Sequence, residues 1–419
     1  MFKKITINHW RQFESIDIEI DNSVTIITGA NGAGKTTILG MLNQHFGWSP
    51  SLISTPTISK KGIRNFVSGI WDKLFNENNP RGGFNTSINI GSITYENGHI
   101  TKIMVPTQTE MTYQIQFENQ QSISGMYVPS HRPIFNYKEV TNIPTTVKKT
   151  EDYFDQYNTN IKDKLNNPHY YGENISPSFI LKETLISLAT FGYGNEHVIA
   201  NTEYANLFEE FQEVLKKLLP QSLGFQKLEI RIPEVVLITK SGDFSLDAVS
   251  GGVASLIGLA WQIFIFSKNK IRYVITLDEP ENHLHPSMQR ELMPNLVQSF
   301  PNAQFIVATH SPFIVGSLKE SKVYALAYNE TNQVYSRSLD MIDKSGNASK
   351  ILRDVLGVPV TLPIWVEDKL ESIINKFSVM PVSETLFEQM RHELAQNGLE
   401  EFMPNAITSV VEKKNDQVN

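Results

Sequence analysis

Cysteine is absent from the 419 residues. That removes disulfide frameworks, thiolate zinc sites and cysteine nucleophiles, and it agrees with a reducing compartment. Positive charge is in deficit: 37 Lys and Arg stand against 44 Asp and Glu, a formal net charge of −7. A chain that coats nucleic acid is usually basic. Any nucleic-acid contact is therefore expected to be local, or supplied by a partner. No apolar run approaches the roughly 20 residues that a bilayer requires. The longest, Leu256 to Phe266, stops well short. Met1 to Asn8 carries two lysines with no apolar core behind them, unlike a secretory leader. Internal repeats and low-complexity tracts are also missing. The expectation is a soluble, cytoplasmic protein with no membrane partner.

What is present is a core. Hydrophobic residues make up 40% of a chain long enough for two or three domains. Phe2 to Ile7 and Ile16 to Ile20 alternate apolar and polar residues and read as strands. Val24 to Thr28 is a continuous apolar run ending at Gly29, the pattern of a central strand buried on both faces. A helix is expected from Lys35 to about Phe46. Ser87 to Val128 reads as an antiparallel meander, with Glu96-Asn97-Gly98 as its hairpin turn and Gly125 to Val128 as a buried strand. From about Thr145 helical spacing takes over, as in Leu207 to Leu218. Strands resume at Leu228 to Ile232 and Val235 to Ile238. An apolar helix follows from about Gly252 to Phe266, with core strands at Tyr273 to Leu277 and Phe305 to Ala308. The remainder, from about Tyr328, holds a short hairpin and then helices.

Gly29-Ala30-Asn31-Gly32-Ala33-Gly34-Lys35-Thr36 satisfies the pattern G-x-x-x-x-G-K-[ST] after a strand and before a helix. The glycines let backbone N–H groups turn inward around a triphosphate, and the helix adds its positive end. Lys35 is expected to reach the β and γ phosphates and the Thr36 hydroxyl to ligate Mg²⁺, with Thr37 also in the nucleotide-binding set. Val274 to Leu277 leads into Asp278 and Glu279. Asp278 would hold the Mg²⁺ shell and Glu279 would polarise the attacking water; the plain alternative is an acidic turn capping the next element. Ser250-Gly251-Gly252 opens the apolar helix, where hydroxyl, free N–H groups and dipole all favour an anion; an ordinary N-cap is the other reading. His310 follows the strand 305–309. A lone histidine after a strand is usually structural, but this one stands where ligands of open α/β sheets collect.

In this order the segments resemble the ABC ATPase superfamily: Walker A at Gly29–Thr36, the signature at Ser250–Gly252, Walker B at Asp278–Glu279 and the switch histidine at His310. Asp278-Glu279-Pro280-Glu281-Asn282-His283-Leu284-His285-Pro286 and Ala308-Thr309-His310-Ser311-Pro312 are more similar to the RecF, SMC and OLD-type branch than to transporter subunits. Val253 stands where a transporter signature carries glutamine. Met126 to Thr145, with Ser130-His131-Arg132-Pro133, resembles the ATPases of anti-phage operons, of the Septu PtuA-like and retron-associated kind. The resemblance implies cofactors ATP and Mg²⁺ and an ATP-sandwich homodimer or higher oligomer. One copy would give Walker A, Walker B and His310; the other would give Ser250. It also implies slow ATP hydrolysis that controls a separate effector, a nuclease, or alternatively a RecF- or SMC-like ATPase that clamps DNA.

Some positions stay open on sequence. Arg132 either couples nucleotide to the helical segment or pairs with a surface acid. Trp10, Arg11 or Phe13 either stacks on adenine or packs in the core. Trp365-Val366-Glu367-Asp368 is faintly similar to the opening of a Toprim nuclease, but no Asp-x-Asp pair follows, so no nuclease is expected within this chain. His283 and His285 are read as neighbours of Walker B rather than metal ligands. The expected fold is α/β, an ABC-ATPase core with a mixed sheet. It runs as an N-terminal half with Walker A and a β-subdomain (1–144), a helical subdomain (145–225) and a C-terminal half (226–327). A hairpin and helices for a partner or for assembly complete it (328–419).

Overall fold

The protein is described from a computed structural model, at all residues except 59–63, 70–86, 108–109, 133–134, 136, 146–147, 167–175, 345, 347, 357–363, 382–384 and 417–419. Pro133 of the segment after the expected buried strand lies outside the described residues. The chain forms two compact units, Met1–Ile351 with Val355–Gly357, and Leu352–Asp354 with Val358–Asn419.

The first unit is built on one 11-stranded mixed sheet. Its strands are β1 (Phe2–Trp10), β2 (Phe13–Glu19), β3 (Val24–Gly29), β4 (Ser87–Tyr95), β5 (Ile100–Pro106) and β6 (Gln116–Glu118). They are followed by β7 (Gly125–Val128), β8 (Tyr273–Asp278), β9 (Ala303–Ala308), β10 (Lys322–Tyr328) and β11 (Val334–Ser338). Across the sheet they run β6-β5-β4-β1-β2-β11-β10-β3-β9-β8-β7. Strands β7, β8, β9, β3 and β10 are mutually parallel. The other half is a set of antiparallel pairs built around β1, with β11 beside β2 in parallel.

The parallel half explains its own sequence. Every residue of β3, β8 and β9 is buried, because both faces are covered. Alternate side chains then divide between two cores. Ile27, Val274 and Ile306 pack with Ile38, Leu39 and Leu42 of α1 (Lys35–Asn43). Ile26, Ile275, Phe305 and Val307 pack with the helices on the opposite face. Those are α2 (Thr150–Asn166), α3 (Pro177–Tyr193), α4 (Thr202–Leu218), α5 (Gly251–Ser267) and α6 (Pro286–Ser299).

Local chemistry fixes the helix ends. Ser176 Oγ accepts from Phe179 N at 3.1 Å, with Pro177 in the first turn of α3. The Asn201 side chain accepts from Glu203 N and Tyr204 N at the start of α4. Along α4 the buried positions Tyr204, Leu207, Phe208, Phe211, Leu215 and Leu218 keep to one stripe. α5 is apolar nearly all round and is buried accordingly.

The structure differs from the sequence reading in three places. Gly125 to Val128 does not close the antiparallel meander: β7 crosses to the opposite edge and pairs in parallel with β8. A short apolar run carries no signal of strand direction, so this was invisible in sequence. Within the expected meander, the alternating run Tyr113 to Phe117 is not one strand but is divided between Thr112–Tyr113 and β6. The hairpin assigned to the C-terminal region is β10 and β11, which join the large sheet beside β3 and β2. The second unit has its own core, made by Val366, Ile373, Phe377, Leu386, Met390, Leu394, Ala406 and Val410 of three helices, Ile364–Ser378, Leu386–Gln396 and Met403–Asp416.

His45 closes the α1 side of the sheet. Its ring meets Phe2 edge-on at 5.0 Å, its Nε2 lies 2.8 Å from Tyr95 Oη and its Nδ1 lies 3.1 Å from Leu42 O. Burial pushes its pKa down from 6.5 to about 4. The folded protein then refuses a proton that the unfolded chain accepts, so this contribution is complete above pH 6.5 and is lost as pH falls towards 4. Urea titrations between these limits should show a stability loss of which roughly 3 kcal/mol belongs to His45. His45→Gln should flatten that part of the profile.

Candidate functional site

The site forms where β3, β9 and β8 end side by side. Register sets this: Ala308 pairs with Ile27 on one side and Asp278 on the other. The loops that follow the three strands must therefore meet at the carboxyl edge, the place where open α/β sheets hold ligands.

The first loop is 29–34. Gly29, Gly32 and Gly34 have φ of 137°, 79° and 97°, conformations in which a side chain is strained. Space forbids one too: a Cβ on Gly34 would lie 2.4 Å from the Phe13 ring, and on Gly29 2.5 Å from Leu326 O. Asn31 is exposed, Ala33 is in the core and Thr37 is half-buried. Lys35 is only 5% exposed. Its Nζ donates to Gly29 O at 2.9 Å and Ala30 O at 3.1 Å, and lies 3.4 Å from His310 Nδ1. Burial lowers the Lys35 pKa to about 8, against the pull of Glu279, Asp278 and Glu281.

The second loop follows β8. Asp278 is 3% exposed; its Oδ1 accepts from Thr36 Oγ1 at 3.2 Å and its Oδ2 from Tyr127 Oη at 3.4 Å. Burial raises its pKa to about 6, countered by the hydrogen bonds from Thr36 and Tyr127 and by the charge of Lys35. A hydroxyl and a carboxylate brought together are hard oxygen donors, and they fit Mg²⁺ beside phosphate oxygens. Glu279 turns out of the strand at φ 45° while its N–H stays bonded to Ala308 O at 2.8 Å. Its Oε1 lies 3.5 Å from His310 Nε2, and its Oε2 accepts from Asn282 Nδ2 at 3.1 Å.

The third loop is 309–311, held by Glu281. One oxygen, Oε1, accepts from Thr309 Oγ1 at 2.6 Å, His310 N at 2.8 Å and Ser311 N at 3.1 Å. Burial and then Lys35 lower the His310 pKa, so the ring is neutral at neutral pH. Nδ1 faces an ammonium and accepts; Nε2 then carries the hydrogen and points towards Glu279.

Lys35, Thr36, Asp278, Glu279 and His310 thus meet in one place. Ser250, Gly251 and Gly252 stand outside this hydrogen-bonded group. Ser250 is exposed, and its side chain makes no cap bond to its own helix. Gly252 lies against the loop after Glu279, where a Cβ would come within 2.9 Å of His283 O. Trp10 and Phe13 are core residues, each 0% exposed, so neither offers a face to a base. Arg11 is held by Tyr113 Oη and Ile53 O. Among the described residues Arg132 binds no surface acid: its NH2 donates to the backbone oxygens of Glu279, Pro280 and Asn282. His285 caps α6, accepting from Ser287 N at 3.3 Å. Among the described residues no cluster of three His, Asp or Glu could hold a metal by itself. Sequence reasoning gave no role to Tyr127, Glu281 or Asn282. Their only signal was proximity to Asp278 and Glu279 in the chain or across one strand.

With this geometry, the chain belongs to the AAA domain family, whose match covers residues 4–232. A second AAA-domain match, named for a type IV toxin–antitoxin system, covers 206–316. It is a P-loop ATPase by class, and the relatives it resembles are of two kinds, Septu and retron proteins. Over 165 residues it is 28% identical to the Septu protein PtuA of Bacillus thuringiensis, an overlap of 36% of this chain and 42% of that one. Over 242 residues it is 24% identical to the Retron Ec83 probable ATPase of Escherichia coli, 55% of this chain and 40% of that one. The chain thus spans about two fifths of the length of these curated relatives. The SMC head domain from Thermotoga maritima covers 81% of this chain and 99% of its own at 15% identity, with a TM-score of 0.36. That score is too low for the likeness to bear on function. Among the described residues no helix is long and apolar enough to cross a membrane.

Glu281→Ala should take the acceptor from Thr309 Oγ1 and His310 N at once, while Ser311 N keeps its bond to Thr309 Oγ1. Leaving buried donors unpaired costs about 1–3 kcal/mol, and urea melts should register a loss of that order.

Proposed function

We propose that the chain binds and slowly hydrolyses Mg-ATP at the carboxyl edge of β3, β9 and β8. The reading rests chiefly on one observation: Thr36 Oγ1 lies 3.2 Å from Asp278 Oδ1 while His310 reaches Lys35 at 3.4 Å and Glu279 at 3.5 Å. In this reading the backbone of Gly29–Gly34, with Lys35, Thr36 and Thr37, holds the triphosphate, and the amine of Lys35 exchanges its two carbonyl partners for phosphate oxygens. Thr36 and Asp278 hold Mg²⁺, which when bound offsets phosphate charge. Glu279 takes hydrogen bonds from the attacking water, in an orientation set by Asn282. His310, neutral and carrying its hydrogen on Nε2, donates towards the terminal phosphate.

The second part of the proposal concerns assembly. Ser250 is exposed at an uncapped helix start outside the cluster, which supports its delivery to the nucleotide of a second copy, across an ATP-sandwich homodimer or higher oligomer. The dimerisation cycle would control a separate effector in anti-phage defence, a nuclease, with 328–419 as the partner or assembly region. The likeness to Septu and retron proteins supports that role. A net charge of −7 weighs against the alternative, an ATPase that clamps duplex DNA directly.

Glu279→Gln should keep nucleotide affinity, lose hydrolysis and accumulate as an ATP-bound dimer in light scattering; turnover at the parental rate would refute the assignment of Glu279. Lys35→Ala should abolish binding of Mg-nucleotide in calorimetry.

A further inference from the structure

Arg132 lies in the segment just after β7, which ends at Val128, and β7 pairs in parallel with β8, Val128 opposite Leu277. The residue therefore stands one strand across from the turn that carries Glu279. Its NH2 donates to Glu279 O at 3.3 Å, Pro280 O at 2.8 Å and Asn282 O at 3.3 Å. Two residues earlier, Ser130 O accepts from Asn282 Nδ2 at 3.2 Å, and the same Nδ2 holds Glu279 Oε2. One short segment thus holds both the backbone and the carboxylate orienter of the loop.

That loop needs holding. A φ of 45° at Glu279 is a conformation that a side-chain-bearing residue rarely keeps unless its surroundings over-determine it. Three carbonyl dipoles turned towards one cation supply such a constraint. Structural duty alone does not account for the whole guanidinium, however. Arg132 Nε and NH1 are screened from solvent and have no hydrogen-bond partner among the described residues. Glu281 Oε2, in the same loop, is in the same condition among the described residues. Half-paired buried groups of this kind are costly, and they concentrate where strain serves a site. Burial lowers the Arg132 pKa to about 10, with Glu281 opposing, so the group is cationic at neutral pH. Tyr157 of α2 lies within its electrostatic reach, and Tyr157 packs in the core that α5 shares. A shift of the 130–132 segment with the helices would be felt at Glu279.

We propose that Arg132 is a positioning residue for ATP hydrolysis, fixing the 279–282 turn so that Glu279 is held in place from the helical side of the sheet. This rests on the reading of Glu279 as the group that orients water. The test uses the full chain, steady-state hydrolysis, calorimetry with a non-hydrolysable ATP analogue, thermal melts and added millimolar guanidinium. Arg132→Ala should lower kcat roughly 10- to 100-fold, as expected for a displaced catalytic group, with analogue affinity changed by less than about threefold. Guanidinium should restore part of the lost rate to Arg132→Ala and none to Glu279→Gln. Arg132→Lys, which offers a point charge instead of a planar fork, should also lose kcat at intact affinity, and it carries the test if Arg132→Ala fails to fold. Unchanged kcat in the folded variants would overturn the proposal. So would a fall in kcat matched by an equal fall in affinity without a guanidinium response. If Glu279→Gln itself turns over at the parental rate, the reading of the site fails first; if it does not and the Arg132 variants remain active, only the role of Arg132 fails.

Discussion

The register of three parallel strands is the constraint on which the rest depends. Hydrogen bonding pairs Ala308 with Ile27 and with Asp278, so β3, β9 and β8 end level with one another. Everything chemical follows from that alignment. The phosphate loop, the acidic turn and the histidine loop are far apart in the chain and adjacent in space because the strands that deliver them cannot slide. A slip by one residue would invert every side chain on the strand and exchange the two cores on its faces.

The site is built of charges placed where water is scarce. Lys35 and Asp278 are both nearly buried, and burial moves their pKa values towards each other, to about 8 and about 6. Among the described residues neither has a salt bridge to relieve it; Lys35 has carbonyls and Asp278 has hydroxyls. Glu281, also pushed up by burial, spends one oxygen on three donors of the next loop. Polar groups arranged before the ligand arrives do not have to reorganise when charge develops, which is the general advantage of such sites. The same arrangement leaves Ser250, at its uncapped helix start, apart from the group that Lys35, Thr36, Asp278, Glu279 and His310 form.

The sequence carried the site further than it carried the fold around it. Gly29 to Thr36 was legible because each glycine answers a backbone need, and the structure finds φ between 79° and 137° at the three of them. Asp278, Glu279 and His310 were legible because each ends an apolar run. The path of β7 was not, since four buried residues look alike in either direction. Nor was the role of Arg132: its three acceptors are backbone oxygens some 150 residues away, and backbone oxygens leave no mark on composition. Trp10 and Phe13 could have faced a base or a core. Packing decided for the core, because Phe13 fills the space that Gly34 leaves.

By itself, then, the amino-acid sequence determined the local grammar: which segments are strands buried on both faces, which helices carry a stripe, and which loops contain glycine where no other residue can turn. These follow from short-range sterics and from the periodicity of burial, and both are written residue by residue. Tertiary structure alone decided which loops meet, which acid holds the histidine loop and which cation holds the acid's turn. Those outcomes depend on strand order and register, set by the summed packing of two cores over hundreds of residues, and no single segment encodes that sum.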